Sequence, residues 1–347
     1  MPTLRVRPRR LALRAPVRTF WGEMRERELL EVRLTWDGDD HGLGEAAALE
    51  HRDGVSTPAV RAALEAHAEV LRRMPPAASH SDLLAACAAE RPLPQALAAI
   101  DLALWDRAGR QAGRPVARLL ADDAARAVPV SAMIWARDPV FAAAEAYRAA
   151  MAGHRCVRVR VGVGDELARV VAVRQAVGPD IAIRIDAAGA WQHPAEALAA
   201  LEPLAEAGIE LVEDLLADAG ESAGLVGESP IPVAVDGDGS GIQDDLAPAF
   251  VRLTISRCGG ITGLLAAARA ARRSGARPYL ASNLDGPLGL AAGVQAAAVL
   301  LAESPMPACG LATLGMFVEH THMLPVENGS IDVPSEPGLL GTTTQAK

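Results

Sequence analysis

Three acidic residues each end a short apolar run, and their type and spacing could build a metal site. Asp186, Glu213 and Asp236 follow runs that are rich in Ile and Val, and they lie 27 and 23 residues apart. That interval fits one strand, one helix and two turns, the repeat of a β/α barrel. The carboxyl ends of neighbouring barrel strands face a common centre, where three carboxylates form an all-oxygen site suited to Mg²⁺. The pattern therefore predicts that these three side chains share one magnesium site.

The elements that must position these carboxylates alternate between strands and helices from about residue 126 onward. Apolar runs predict strands at 128–135, 156–161, 181–186, 209–213, 232–236, 251–255, 278–282 and 307–311. Ala-rich segments between them, for example 194–207 and 262–274, have the composition of helices. Strands joined by helical crossovers predict a closed parallel barrel.

The first part of the chain has a different order of elements. Residues 1–50 alternate apolar and polar side chains as strands do, and helical patterns follow at 57–73 and within 93–120. Strands followed by helices predict an α+β domain. We therefore expect an α+β domain over 1–122 and a barrel over 123–319, with the tail 320–347 packing back on the first domain.

Composition narrows the class of protein. The net charge is −9, which argues against a nucleic-acid partner and is compatible with a cationic cofactor. The four cysteines have no paired spacing, so neither a zinc site nor a disulfide framework is predicted. No apolar run reaches membrane-spanning length and the N-terminus lacks an apolar signal core, so we expect a cytoplasmic protein that does not bind membranes. The single lysine is Lys347, which leaves arginine, a poor base with a pKa above about 12, as the basic residue elsewhere.

Several motifs spread over nearly the whole chain carry a family resemblance. They are 99–106 (AIDLALWD), 177–180 (VGPD), 184–191 (RIDAAGAW), 211–213 (LVE), 235–236 (VD) and 258–261 (CGGI). Together they resemble the enolase superfamily in its muconate lactonizing branch. Segments 282–289 (SNLDGPLG) and 308–313 (ACGLAT) are most similar to the o-succinylbenzoate synthases of that branch. The resemblance implies a modified (β/α)7β barrel of the TIM type beneath an α+β N-terminal capping domain.

The resemblance also implies an activity. Asp186, Glu213 and Asp236 would bind Mg²⁺ in a lyase or isomerase that abstracts a proton next to the carboxylate of a small substrate and stabilises the enediolate. It implies a homo-oligomer as well. Residues 14–24 lie where the family has a mobile loop that closes over the substrate, although an ordinary hairpin connection is the equal alternative.

The chain departs from the family where the family has its bases. The Lys-x-Lys motif of the second barrel strand is Arg158-Val-Arg160 here, and the opposing lysine is Thr254. Because side chains alternate along a strand, Arg158 and Arg160 share one face and could hold a substrate carboxylate. Two supporting positions are Ala188 and Gly237. A positioned base contributes a factor of about 10² to 10⁴ in rate, so the family reaction would need another base.

The candidate replacement bases are two aspartates. Asp285 follows the seventh strand and is either a base or a turn residue, whereas Asp238 is more typical of a glycine-flanked loop. His320 and His322 lie where the chain leaves the barrel, a position typical of surface or structural residues.

Two alternatives stay open at this point. A guanidinium can fork onto a carboxylate, so Arg160 could occupy the place of the metal ion. The loss of both lysines also favours an alternative function, a non-catalytic pseudoenzyme that binds a small acid or a protein partner.

Overall fold

The N-terminal part of the chain begins with an antiparallel sheet. The computed structural model describes residues 2–19, 21–162, 164–237, 248–320 and 322–341. The sheet contains β1 (Thr3–Thr19), β2 (Gly22–Thr35) and β3 (His41–Ala46), in that order. Leu30, Val32 and Leu34 of β2 are buried at alternate positions, so this face of the sheet packs on the helices that follow.

The helices that cover this sheet are α1 (Glu50–Asp53), α2 (Thr57–Arg73), α3 (His80–Glu90), α4 (Pro94–Ala112) and α5 (Val116–Leu120). The bounds of α2 are the predicted ones, whereas α3 is an element that the sequence patterns do not predict. Ser79 marks the start of α3, because Ser79 and Asp82 exchange side-chain-to-backbone hydrogen bonds in a capping box. Gly44 allows β3 to lie directly on α4, since a Cβ atom there would be 2.0 Å from the carbonyl oxygen of Ala99.

The second part of the chain is the predicted barrel. The short strand β4 (Ala127–Pro129) precedes the barrel and pairs antiparallel with a strand near the C-terminus. The barrel strands are β5 (Ala132–Ile134), β6 (Cys156–Arg160), β7 (Ala182–Asp186), β8 (Ile209–Glu213), β9 (Ala234–Gly237), β10 (Phe250–Leu253) and β11 (Arg277–Leu280). Strands β5 to β8 form one parallel sheet and β9 to β11 another. The ring continues through the bridges Val212–Val233, Ala281–Gly310 and Val130–Cys309. Segment 307–311, predicted as a strand, therefore closes the ring through bridges and not as a regular strand.

Helices surround these strands. They are α6 (Pro139–Met151), α7 (Glu166–Val177), α8 (Pro194–Leu201), α9 (Ala219–Gly224), α10 (Ile261–Arg273) and α11 (Pro287–Glu303). The predicted helix 194–207 is shorter as an α-helix and continues as a 3₁₀ helix (Glu202–Ala207), because Pro203 has no amide hydrogen to donate. Within the described part of the chain, every helix is too short or too polar to cross a bilayer.

The C-terminal segment contacts both parts of the chain. Strands β12 (Val326–Glu327) and β13 (Ser330–Asp332) pair with each other, and β13 also pairs with β4. Further along, Leu339 donates its amide hydrogen to Asp106 of α4, and Gly338 accepts one from Val116 of α5. The division of the chain at residue 122 stays a prediction.

Candidate anion site at the mouth of the barrel

The structure brings the three predicted carboxylates to the same end of the barrel. Asp186 is the last residue of β7 and pairs in register with Glu213, the last residue of β8. Asp236 lies near the end of β9. The side chains of all three are almost completely buried, with 6%, 1% and 8% exposure respectively. Buried carboxylates require cations or protons nearby, and the surrounding side chains supply cations.

The two arginines of β6 bind two of these carboxylates. Arg158 Nη1 donates to Glu213 Oε2 at 2.9 Å, and Arg158 Nε lies 3.9 Å from Asp186 Oδ2. Arg160 Nη1 donates to Asp186 Oδ2 at 3.1 Å, and its Nη2 donates to the carbonyl oxygen of Arg18 at 3.0 Å. Arg160 therefore sits at the edge of the carboxylate set, tied to the hairpin formed by β1 and β2.

A third arginine occupies the centre of the set. Arg252 of β10 places Nε 2.6 Å from Asp236 Oδ1 and Nη1 3.1 Å from Glu213 Oε2. Its Nη1 and Nη2 also fork onto Asp214, at 2.9 and 2.5 Å. The arginine that bridges the carboxylates is thus Arg252, whereas Arg160, the arginine that the sequence indicates, reaches only Asp186 among them.

Two more arginines complete the arrangement. Arg52 of α1 forks onto Asp214 at 2.8 Å and reaches Asp236 Oδ2 at 2.9 Å. Arg257 donates to the same Asp236 oxygen at 2.7 Å. We call the complete set of ion-paired residues the arginine network, and its members are Arg52, Arg158, Arg160, Arg252, Arg257, Asp186, Glu213, Asp214 and Asp236.

The ionisation of the network follows from the balance between burial and charge. Burial favours the neutral acid at Asp186, but Arg160, Arg158 and Arg52 outweigh it and hold the pKa of Asp186 below its usual value. At Asp214 burial raises the pKa to about 7, because repulsion from the neighbouring carboxylates adds to the effect of burial and Arg52 offsets it only in part. The network therefore carries a positive excess at neutral pH.

The carboxylates as arranged do not fit a metal ion. Asp186 Oδ1 accepts the amide hydrogen of Ala188, Glu213 Oε1 accepts the hydroxyl of Tyr279 at 2.9 Å, and the other oxygens bind guanidinium groups. Nowhere in the described ranges do three or more His, Cys, Asp or Glu side chains form a group that could hold one. The magnesium role of Asp186, Glu213 and Asp236 therefore stays a prediction.

A cavity of about 170 Å³ opens above the network. Its charged wall contains the five arginines of the network together with Asp186, Asp214 and Asp236. The side chains of Arg52, Arg158, Arg160 and Arg257 are 15% to 21% exposed, compared with 17% for Asp214 and only 6% and 8% for Asp186 and Asp236. The rest of the wall is largely apolar and includes Val17, Trp21, Met24, Met133, Trp135, Leu284 and Met316. The cavity therefore presents guanidinium groups on one side and an apolar surface on the other.

The predicted mobile loop contributes to this wall. Trp21, at the tip of the hairpin between β1 and β2, stacks on His51 with ring centroids 5.7 Å apart. Val17 and Met24 on either side of the tip also line the cavity. The hairpin covers the cavity, and its closing over a ligand stays a prediction.

Three positions that hold a base or a supporting group in the family are occupied here by Thr254, Ala188 and Gly237. Thr254 is buried, and its hydroxyl has no hydrogen-bond partner among the described residues. Ala188 has a positive φ of 47°. Gly237 packs so closely that a Cβ atom there would lie 2.5 Å from Leu253 Cδ2, so a larger side chain would displace the core. None of these side chains can accept a proton from a substrate.

Asp285 lies in a second buried cluster and does not line the cavity. We call this the junction cluster, and it contains Arg27 of β2, Glu45 of β3 and Asp285. Burial raises the pKa of Asp285, and burial with the nearby Asp285 charge raises the pKa of Glu45 to about 8. Glu45 Oε1 accepts the amide hydrogen of Gly286 at 2.7 Å. The contacts of Glu45 with Gly286 and of Arg27 with the carbonyl oxygen of Asn283 thus join the barrel to the N-terminal sheet. The role of Asp285 as a base stays a prediction.

The two candidate histidines do not line the cavity. His320 pairs with Glu319 at 3.6 Å, and its charged neighbours Arg9 and Glu31 belong to the N-terminal sheet. His322 is exposed. Asp238 lies outside the described residues.

Sequence reasoning missed Arg52, Asp214, Arg252, Arg257 and Tyr279. Arg252 carried a usable signal, because a charge inside the apolar strand β10 must find a buried partner. Alternation from Thr254 also places Arg252 on the face of the strand that points into the barrel. Arg52 carried no such signal, since its partners lie more than 160 residues away in the chain.

Comparison with known proteins identifies the class of protein that this fold and site define. Residues 141–346 match the model of the family described as Enolase C-terminal domain-like. Residues 1–121 match the Mandelate racemase / muconate lactonizing enzyme, N-terminal domain. The chain therefore belongs to the enolase superfamily, in its muconate lactonizing branch, and the predicted family and fold class are confirmed.

Several relatives are named as racemases, synthases or epimerases. N-succinyl-L-Arg/Lys racemase of Bacillus cereus is 26% identical over 83% of this chain and 81% of the racemase. Its crystal structure matches with a TM-score of 0.85 at 24% identity, covering 97% of this chain and 94% of that chain. An o-succinylbenzoate synthase of Mycobacterium bovis is 34% identical over 55% of this chain and 59% of the synthase. A dipeptide epimerase of Enterococcus faecalis, solved with Mg and the dipeptide L-Leu-L-Tyr, matches with a TM-score of 0.80 at 21% identity, covering 97% and 98% of the two chains.

Proposed function

We propose that this protein binds a small carboxylic acid with an apolar body in the cavity at the barrel mouth, and that the arginine network binds the acid group without a divalent metal ion. The observation that carries the proposal is the excess of accessible guanidinium groups at the cavity wall. Asp186 and Asp236 also line the cavity, but their side chains are only 6% and 8% exposed, whereas those of Arg52, Arg158 and Arg257 are 20% to 21% exposed. A ligand that enters is therefore in contact mainly with cations on this wall.

Carboxylate is the anion that fits these donors best. Arg158 and Arg160 approach the cavity from β6 and Arg257 from the segment after β10, and guanidinium groups bind carboxylates through paired, charge-assisted hydrogen bonds. Apolar residues such as Met133 and Leu284 form the opposite wall. Burying the hydrocarbon part of the ligand against them removes apolar surface from water and so stabilises the complex. The named relatives also act on molecules that carry carboxylates, which supports this ligand class.

The favoured form of this function is binding without the proton abstraction of the family. Thr254 and Arg160 stand at the two positions of the family bases, and neither accepts a proton at neutral pH. Asp285 lies outside the cavity wall and is bound in the junction cluster.

A second candidate function is a lyase or isomerase that acts on the same ligand class. The activities of the named racemase, synthase and epimerase favour it. In this form a base other than the family lysines would take the proton next to the carboxylate.

Calorimetry with a matched pair of ligands tests the proposal. Phenylacetate carries the acid group and phenylacetamide replaces it with a neutral amide of the same shape. We expect phenylacetate to bind and the amide not to bind, because only the acid satisfies the guanidinium charges. Equal affinity for both compounds would refute the anion site.

Proton exchange in deuterium oxide separates the two forms of the function. The wild-type protein with Mg²⁺ is incubated with N-succinyl-L-arginine, L-Leu-L-Tyr and phenylacetate, and deuterium at the carbon next to the carboxylate is followed by NMR. We expect no incorporation. Incorporation that requires the protein would instead support the lyase or isomerase.

A further inference from the structure

We propose that the guanidinium of Arg252 is a built-in cation that holds the position of a divalent metal ion among Glu213, Asp214 and Asp236, and that removing it opens a divalent-cation site. The inference concerns the resident cation and does not rest on the binding of an acid.

Arg252 is the group that unites these three carboxylates. Its Nε and Nη2 lie 2.6 Å from Asp236 Oδ1, its Nη1 lies 3.1 Å from Glu213 Oε2, and both Nη atoms fork onto Asp214. The other arginines of the network each reach at most two carboxylates. All three nitrogens of Arg252 are thus committed to carboxylate oxygens.

The position of this charge is fixed by the sheet. Arg252 lies in register with Asp236 on one side and with Tyr279 on the other. Val251 and Leu253, its neighbours in the strand, are buried in the apolar core. The side chain itself is only 7% exposed. It is therefore a permanent part of the barrel mouth and not a surface side chain that could move aside for an ion.

The oxygens around Arg252 have the character of a hard-cation site. The nitrogens of one guanidinium are bonded to a single carbon atom, so the oxygens that they bind surround one small volume. Carboxylate oxygens are the ligands that Mg²⁺ and Mn²⁺ prefer. Tyr279 holds Glu213 in place through its other oxygen. Without Arg252, Glu213 keeps Arg158, Asp214 keeps Arg52, and Asp236 keeps Arg52 and Arg257. The cation that the three carboxylates share is lost, however, and a divalent ion in its place would restore that charge.

The test replaces the charge with an uncharged side chain of similar length in the full chain. Arg252→Met and wild type are freed of metal with EDTA, and Mn²⁺ binding is followed by electron paramagnetic resonance. We expect saturable binding of one ion to Arg252→Met and no saturable binding to wild type. Mg²⁺ should raise the melting temperature of the variant and leave that of wild type unchanged, because an ion that binds the folded state stabilises it.

Two controls keep the outcome decisive. Arg269→Met removes a surface arginine that pairs with Glu303 and should not create a cation site. The double variant Asp214→Asn, Arg252→Met removes one carboxylate together with the arginine, so it should fold without an ion and bind Mn²⁺ more weakly than Arg252→Met. Saturable Mn²⁺ binding by wild type would overturn the inference. So would the absence of Mn²⁺ binding and of Mg²⁺ stabilisation in both variants.

Discussion

Two buried clusters of charge differ in how many arginines they supply for their acids. In the arginine network five guanidinium groups face four carboxylates, and the pKa of Asp186 is held low. In the junction cluster Arg27 faces both Glu45 and Asp285, and the pKa values of these two acids are raised. Burial is nearly complete in both clusters, so the balance of nearby cations and carboxylates sets the pKa of each acid. Within the network, Asp214 has three carboxylate neighbours and keeps a raised pKa of about 7.

This difference assigns the clusters to different tasks. The arginine network borders a cavity and contains one more guanidinium group than carboxylates, so it can bind an anion. The junction cluster is closed, and its carboxyl groups bind backbone amides such as that of Gly286. One is suited to a ligand and the other to joining the barrel to the N-terminal sheet.

The largest effect is expected when the network loses its central cation. Arg252→Met takes one buried ion-pair partner from each of Glu213, Asp214 and Asp236, so the free energy of unfolding should fall by about 3 to 5 kcal/mol in EDTA. Urea unfolding measures the loss. Arg269→Met, which removes a surface ion pair, should change stability by less than about 1 kcal/mol. Equal losses of stability in the two variants would show that Arg252 contributes no more to folding than a surface arginine does.

The junction cluster should give protein stability a distinct pH dependence. The pKa of Glu45 is about 8 in the folded chain and 4.5 in its ordinary state, so folding retains a proton that the unfolded chain releases. The free energy of unfolding should therefore fall as the pH rises from 4.5 towards 8. Glu45→Gln keeps the acceptor oxygen for Gly286 and removes the titration. Its stability relative to wild type should rise by about 1.4 kcal/mol for each pH unit in that interval.

Urea unfolding of both proteins at a series of pH values checks this dependence. Asp122→Asn is a suitable control, because Asp122 is an exposed partner of Arg114 and lies outside both clusters. If the free energies of unfolding of wild type and Glu45→Gln changed in parallel with pH, Glu45 would not retain a proton on folding. That result would contradict the conclusion that one arginine is too few to ionise both acids of the junction cluster.

The same comparison shows what the sequence could and could not predict. Asp186 and Glu213 are recognisable because each ends an apolar strand, and strand ends meet at the barrel mouth. Arg52 and Asp214 are not, because their pairing joins α1 to the residue after β8, a contact that only the fold creates. The place of Asp285 after a strand allows either a base or a turn residue, and in the structure its carboxylate accepts the amide hydrogen of Asn283 within the turn. Local patterns therefore predict the frame, and the distant charge pairs need the structure.

A moderate effect is expected from an arginine at the cavity wall. Arg257 contacts Asp236 through one nitrogen and is 20% exposed, so part of its guanidinium is accessible to a ligand. Arg257→Met should weaken phenylacetate binding about tenfold, or about 1.4 kcal/mol. Calorimetry measures the change, with Arg269→Met as the matched control. An unchanged dissociation constant would remove Arg257 from the ligand site.

The smallest effect is expected at Asp285. Asp285→Asn keeps an oxygen that can accept the amide hydrogen of Asn283, and the side chain does not line the cavity. Phenylacetate affinity should change by less than a factor of about two, as expected for a site without contact to the ligand. A large loss of affinity would show that the junction cluster and the cavity are coupled.

The most direct test of the central claim is the metal dependence of acid binding by the wild-type protein. Phenylacetate is titrated calorimetrically into protein treated with EDTA and, in a parallel sample, into protein with excess Mg²⁺. If guanidinium groups alone receive the acid, the two dissociation constants will agree. Binding that occurs only in the sample with Mg²⁺ would contradict the account.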